Sequence, residues 1–168
     1  MNSLPRRIVP ASVDHAEAIA ELLLPYVPQG IVLPRSPEEV RRLHADFLVA
    51  LDGATVVGAV ALRDYGAGLQ EVRSLVVCPS YAGHGLGSRL VIAATIAAAA
   101  HEADRVFALT LRPHLFTRLG FSEVPMDLFP QKVWLDCVKC PKRDRCDEIA
   151  VILQDEELAQ FVQEHRRD

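Results

Sequence analysis

Cysteine is scarce in this chain. Four residues in 168 are too few for a disulfide-stapled scaffold of this size. Long apolar runs are missing as well. The longest, Leu90 to Ala100 broken by Thr95, falls far short of the roughly 20 residues that a helix needs to cross a bilayer. No membrane association is expected. Arg6 and Arg7 are followed by no apolar block, so no secretory signal is read and a cytoplasmic location is expected. There is no excess of basic charge either. Lys plus Arg number 18 against 22 for Asp plus Glu, a formal net charge of −4, which argues against a nucleic-acid partner held by bulk charge. What is present is apolar material. It makes up 50% of the residues at a mean hydropathy of +0.15, enough for a compact core. The length fits one domain over residues 1–168. The oddity is Cys137, Cys140 and Cys146, crowded into ten residues.

Periodicity and punctuation place the elements. Residues 4–10 read as a strand ended by Pro10. Asp14 and Glu17 have capping-box spacing, and Ile19, Leu22 and Leu23 follow at helical period to about Leu24. Ser36-Pro37-Glu38-Glu39 opens a second, short helix, with a cap, a proline at the first position and a glutamate at the third. Phe47 to Leu51 and Thr55 to Leu62 form a hairpin across Asp52-Gly53. Tyr65 to Gly68 is a turn, and Glu71 to Val77 a strand ended before Pro79. A glycine loop, Gly83-His84-Gly85-Leu86-Gly87, then opens a long buried helix to about His101. Arg105 to Leu111 is a strand, and Pro113 to Arg118 a short helix stopped by Gly120. Phe121 to Val124 begins another strand, residues 125–146 are irregular, Ile149 to Leu153 is a last strand, and 155–166 a polar helix. The class is α/β of the α+β kind: a mixed sheet with several antiparallel hairpins, flanked by helices.

The glycine loop is the first functional signal. A strand–loop–helix unit exposes backbone N–H groups at a helix N-terminus, where the dipole favours an anion. Glycines let a phosphate approach with no Cβ in the way. The amides of His84, Gly85, Leu86, Gly87 and Ser88 could cradle a diphosphate; a tight turn made for helix–sheet packing is the other reading. No Lys follows the glycines, so this is not the loop of nucleoside triphosphatases, and the G-x-G-x-G spacing fits a dinucleotide fingerprint poorly.

Residues 71–90, running Glu-Val-Arg-Ser-Leu-Val-Val-Cys-Pro-Ser-Tyr-Ala-Gly-His-Gly-Leu-Gly-Ser-Arg-Leu, resemble the central motif of the GNAT acetyltransferases. Gly85 and Gly87 match that family's [Arg/Gln]-x-x-Gly-x-[Gly/Ala] loop, and Ala82 replaces its leading Arg or Gln. Residues 109–121, ending in Gly120-Phe121, resemble the family's second motif. The resemblance implies the GNAT acyl-CoA N-acyltransferase fold. It also implies acetyl-CoA as co-substrate, held by Leu75, Val76 and Val77 of the strand and by Ala82, Gly83, His84, Gly85, Leu86, Gly87 and Ser88. Residues 29–36, Glu71, 106–110 and 125–132 resemble, more narrowly, the bacterial N-acetylglutamate synthases, in a short form lacking their kinase-like domain.

That narrower resemblance implies transfer of acetyl to the α-amine of L-glutamate, the first step of arginine biosynthesis. Two carboxylates call for fixed cations, and Arg suits them through its bidentate fork. Arg35 matches a glutamate-binding Arg of the synthases; the bland alternative is a solvated charge beside a helix cap. Arg73 alternates with Val72 and Ser74, so it faces either the cleft or a salt bridge on the strand. Lys132 and Arg145 lie where the synthases supply further substrate contacts. Glu71 matches the place of the family's general base, and an edge-of-strand charge is its alternative. A strand amide near Val76 or Val77 is the expected oxyanion donor. Phe116 and Phe121 fill the stretch where many relatives keep an acid Tyr, so no acid is assigned. His84 and His114 read as solvent-facing, and Cys78 as a buried small residue.

Cys137-x-x-Cys140 with Cys146 looks like half of a zinc or iron site, a redox pair, or plain thiols on a turn. Small molecules are the expected partners, with a homodimer left open. Two rivals remain: a GNAT enzyme for another small amine or a protein N-terminus, and a non-catalytic acyl-CoA-binding sensor.

Overall fold

The computed structural model describes residues 7–129 and 148–166. Lys132, Arg145, Cys137, Cys140 and Cys146 lie outside the described residues. Among the described residues, seven strands form one sheet in the order β1-β2-β3-β4-β5-β7-β6. They are β1 (Arg7–Pro10), β2 (Phe47–Asp52), β3 (Thr55–Asp64), β4 (Leu69–Val77), β5 (Arg105–Thr110), β6 (Ser122–Val124) and β7 (Ile149–Gln154). Only β4 and β5 pair in parallel; every other neighbour is antiparallel. The sheet is therefore mixed, as the pattern of hairpins implied. The last strand in sequence, β7, lies between β5 and β6, a placement that no local signal carries.

Helices cover both faces. α1 (Ala16–Leu23) and α2 (Pro37–Arg42) pack on one, where Ile19, Leu23 and Val40 meet Phe47, Val49, Ala59 and Val76. α3 (Leu86–Ala100) and α5 (Asp155–His165) pack on the other, with α4 (Pro113–Thr117) at its edge. There Leu86, Leu90, Val91 and Phe161 meet Val60, Val72, Val106 and Val151. Gly58 of β3 lets α3 come close, since a Cβ there would meet Leu90 Cδ1 at 3.0 Å. No described helix is long and apolar enough to cross a membrane.

The caps follow sequence chemistry with one correction. Ser36 Oγ accepts the N–H of Glu39 at 3.2 Å, and Pro37 occupies the first turn of α2. The first helix is not capped by Asp14 and Glu17. A short 3₁₀ turn, Val13–His15, precedes it, and the Ser12 N–H donates to His15 Nδ1 at 3.1 Å. Its capping pair therefore lies two residues earlier.

Candidate active site

Two backbone irregularities build a cleft in the middle of the sheet. The first is a bulge in β4. Val76 pairs with Ala59, and Arg73 with Ala61, so β4 carries one residue more than β3 over that stretch. Ser74 sits in the left-handed region at φ 53°. The extra residue swaps faces: Val72 packs with α3, whereas Val76 packs with α1. Simple alternation would have put both on one face. The second irregularity is the parting of β4 from β5. Their parallel pairing covers Leu69 to Glu71 against Arg105 to Phe107. Beyond that rung the two strands line opposite walls of a cavity of about 620 Å³. Such a volume is in the ordinary range for a small-molecule site.

The glycine loop closes one end. Gly83 and Gly85 have φ of 80° and 84°, and a Cβ on either would point into open space. Glycine is required there by backbone conformation rather than by crowding. The first backbone bond of α3 runs from Arg89 N–H to Gly85 O at 3.1 Å. The N–H groups of Leu86, Gly87 and Ser88 precede it and have no acceptor within the helix. They offer anion ligands at the positive end of a 15-residue helix.

The loop is tied down at its root. Cys78 N–H donates to Val57 O of β3 at 2.8 Å. Tyr81, itself buried, donates its hydroxyl to Asp52 in the β2–β3 hairpin. This hydrogen bond, reinforced by burial and by the negative charge of Asp52, raises the phenol above its usual range. Tyr81 thus points its hydroxyl at the hairpin. From the other side Tyr26, just past α1, donates its hydroxyl to Val77 O at 2.7 Å. Because Cys78 N–H faces β3, alternation turns the polar groups of Val77 to the opposite edge of β4, toward the cleft.

Leu75, Val76, Val77, Ala82, Gly83, Gly85, Leu86, Gly87 and Ser88 all line the cavity. The His84 side chain is exposed and does not line it. Arg73 lines it and forms an ion pair with Glu71, 3.6 Å from Arg73 Nη1 to Glu71 Oε1, with the two side chains 10% and 2% exposed. Glu71 lies on the last paired rung, where the strands part. Its carboxylate also accepts from Tyr65 O–H at 3.2 Å, and it is not itself part of the cavity wall. Arg35 does not line the cavity; it pairs across the first turn of α2 with Glu39 at 3.7 Å. His114 is exposed, and Cys78 is half-buried with Sγ 3.3 Å from Ser80 Oγ. Phe116 is buried on the wall, edge-on to Phe121, so no phenol stands there. Among the described residues, no group of three or more His, Cys, Asp or Glu could hold a metal ion.

The sequence reading missed Tyr26, Arg112 and Arg118, all of which line the cavity. The arginines had a signal: they lie three residues either side of Leu115, flanking α4. Tyr26 had none, since only folding brings it to a strand 51 residues away.

The sequence profile described as "Acetyltransferase (GNAT) domain" matches residues 44–123. An uncharacterised N-acetyltransferase of Chlorobaculum tepidum is 39% identical over 142 residues, which span 84% of this chain and 92% of that one. An amino-acid acetyltransferase of Ralstonia nicotianae is 32% identical over 123 residues, or 72% of this chain and 27% of that one. Among solved structures, the N-acetylglutamate synthase of Neisseria gonorrhoeae, complexed with coenzyme A and N-acetyl-glutamate, is similar with a TM-score of 0.77. That likeness runs at 24% identity over 87% of this chain and 34% of that one. The chain spans about a third or less of these two longer proteins.

Proposed function

This chain belongs to the GNAT acetyltransferase family, and from that premise we propose that it moves an acetyl group from acetyl-CoA to the α-amine of L-glutamate. The observation that carries the reading is the composition of the cavity wall. Among the described residues it presents Arg73, Arg112 and Arg118 and no Asp or Glu, in a chain whose formal net charge is −4. Both partners of the proposed reaction are anions, and a wall carrying arginines without a carboxylate beside them in its described lining suits such ligands. The likeness to the Ralstonia enzyme and to the gonococcal synthase supports an amino acid as acceptor and glutamate among the amino acids.

Acetyl-CoA fits the residues present. The glycine loop leaves open space above Gly83 and Gly85, and the N–H groups at the start of α3 suit its diphosphate. The cleft-side polar groups of β4 suit its amide-bearing arm. Bound there, it supplies an activated acyl group as a thioester.

The acceptor's place is the other side of the cleft, below the α1–α2 segment that brings Tyr26 and Ile31 to the wall. Arg73 holds a carboxylate of the acceptor through its fork. Glu71 takes the proton that the amine must lose, through a water at the point where β4 and β5 part, since its carboxylate lies behind the wall. Lys132, Arg145 and Arg35 are further candidates for the second carboxylate, Arg35 from off the wall, where it pairs with Glu39.

A coenzyme A release assay against the twenty amino acids and a few polyamines tests the reading. Turnover is expected with glutamate and not with lysine or polyamines. Turnover confined to another amine overturns the acceptor. Acetyl-CoA binding without turnover on any of them points to a sensor instead.

A further inference from the structure

We infer that Arg112 and Arg118 form a phosphomonoester subsite, one that makes the protein select acyl-CoA with its ribose phosphate over the dephosphorylated form. The inference rests on the acetyl-CoA reading above and adds a specificity determinant to it.

The two residues bracket the five residues of α4, Arg112 before its first turn and Arg118 just after its last. Arg112 and Arg118 flank Leu115 at three-residue spacing, and all three lie on the cavity side of α4. That face is located by Leu115, whose methyl carbons lie 3.8 Å and 3.9 Å from where a Cβ on Gly87 would stand. The arginine face of α4 therefore abuts the first turn of α3, next to the N–H groups assigned to the diphosphate. All three side chains line the cavity.

Neither arginine has another evident task. Both are exposed, and among the described residues neither pairs with a carboxylate. Arg118 spends its Nε on the carbonyl of His114 at 3.3 Å, which orients the guanidinium and leaves its two terminal nitrogens for a ligand. The helix amides already offer a diphosphate its hydrogen-bond donors. A further pair of guanidiniums at the same end exceeds that need and suits a group of charge near −2 with several acceptor oxygens. A ribose phosphomonoester, attached to the same nucleotide as the diphosphate, is such a group. The family's leading Arg or Gln before the glycines is absent here, Ala82 standing in its place. Arginine supplied from α4 puts positive charge back at that end.

Calorimetric titration with coenzyme A and with dephospho-coenzyme A tests this without any acceptor. The unaltered protein is expected to bind coenzyme A about tenfold or more tightly than the dephosphorylated form. The R112Q/R118Q double variant should lose that preference, with its affinity for dephospho-coenzyme A within about twofold of the parent's. Both residues are exposed, so folding should not change, and circular dichroism would verify it. Equal affinity of the parent for the two ligands overturns the inference and leaves the acetyl-CoA reading standing. So does a double variant weakened equally toward both, which would place the arginines on the diphosphate. Absence of binding to either ligand overturns the reading and the inference together.

Discussion

Glu71 and Arg73 stand two residues apart on β4, on the same side of the strand, and form an ion pair that is almost wholly buried. Taking two charges out of water costs several kcal/mol per ion, so the pair is poor value as a stabiliser alone. Its position where β4 and β5 part suits the proton transfer proposed for Glu71. Glu71→Gln keeps the shape and removes that proposed base. Turnover with glutamate should fall about a hundredfold or more, while the dissociation constant of acetyl-CoA stays within about twofold. Unchanged turnover would remove Glu71 from the proposed mechanism. Arg73→Ala should act twice. It should raise the KM for glutamate and, by leaving a buried carboxylate uncompensated, cost about 3 kcal/mol of stability. Adding Glu71→Gln to it should recover most of the stability and none of the activity. Denaturant unfolding of the single and double variants measures that split.

At the scale of elements, the cleft depends on how the glycine loop is anchored. The loop has two residues of positive φ and nothing crowding them, so its own backbone does not fix its direction. The Tyr81–Asp52 hydrogen bond ties its root to the β2–β3 hairpin. Tyr81→Phe should therefore raise the KM for acetyl-CoA about threefold with kcat little changed. An equal fall in kcat would mean that the phenol does more than hold the loop. The same bond has a pH signature. The Tyr81 phenol is raised above its ordinary value of 10.0 by its hydrogen bond to Asp52. A raised group stabilises the fold fully below its unfolded value and loses that contribution as pH climbs through the folded one. The stability difference between Tyr81→Phe and its parent should accordingly be constant at neutral pH and shrink above pH 10.

At the scale of the whole molecule, the C-terminal helix supports the core without lining the cavity. α5 and β7 follow the rest of the sheet in sequence yet complete the core beside β5: Phe161 packs edge-on against Phe121, and Val151 and Leu153 share one core with side chains of α3, α4 and α5. Phe161→Ala should cost about 3 kcal/mol and lower the melting temperature by about 10 °C. Turnover per folded molecule should stay near that of the parent, since no residue of α5 lines the cavity. A collapse of kcat at temperatures where the variant remains folded would show that the C-terminal helix reaches the chemistry.

Much of this was legible in sequence because it is local. Ser36 before Pro37 and Glu39 specifies a capped helix, Asp52-Gly53 a hairpin, and Gly83 to Gly87 a loop whose two left-handed positions, Gly83 and Gly85, call for glycine. Each depends on a few neighbouring residues and on backbone sterics. The cation at Arg73 was legible as an alternating strand residue, and Glu71 as its neighbour. Other features were settled only by folding, because they depend on groups far apart in the chain. β7 enters between β5 and β6. Ser74 adopts a positive φ and swaps the faces of β4, against the alternation that its flanking valines suggest. β4 and β5 part after Glu71, and Tyr26 crosses to Val77. Sequence determined the elements and the loop that can hold an anion. The tertiary structure decided where a cleft opens and which charges line it, because a cavity comes from strands that stop pairing, and pairing is a long-range property.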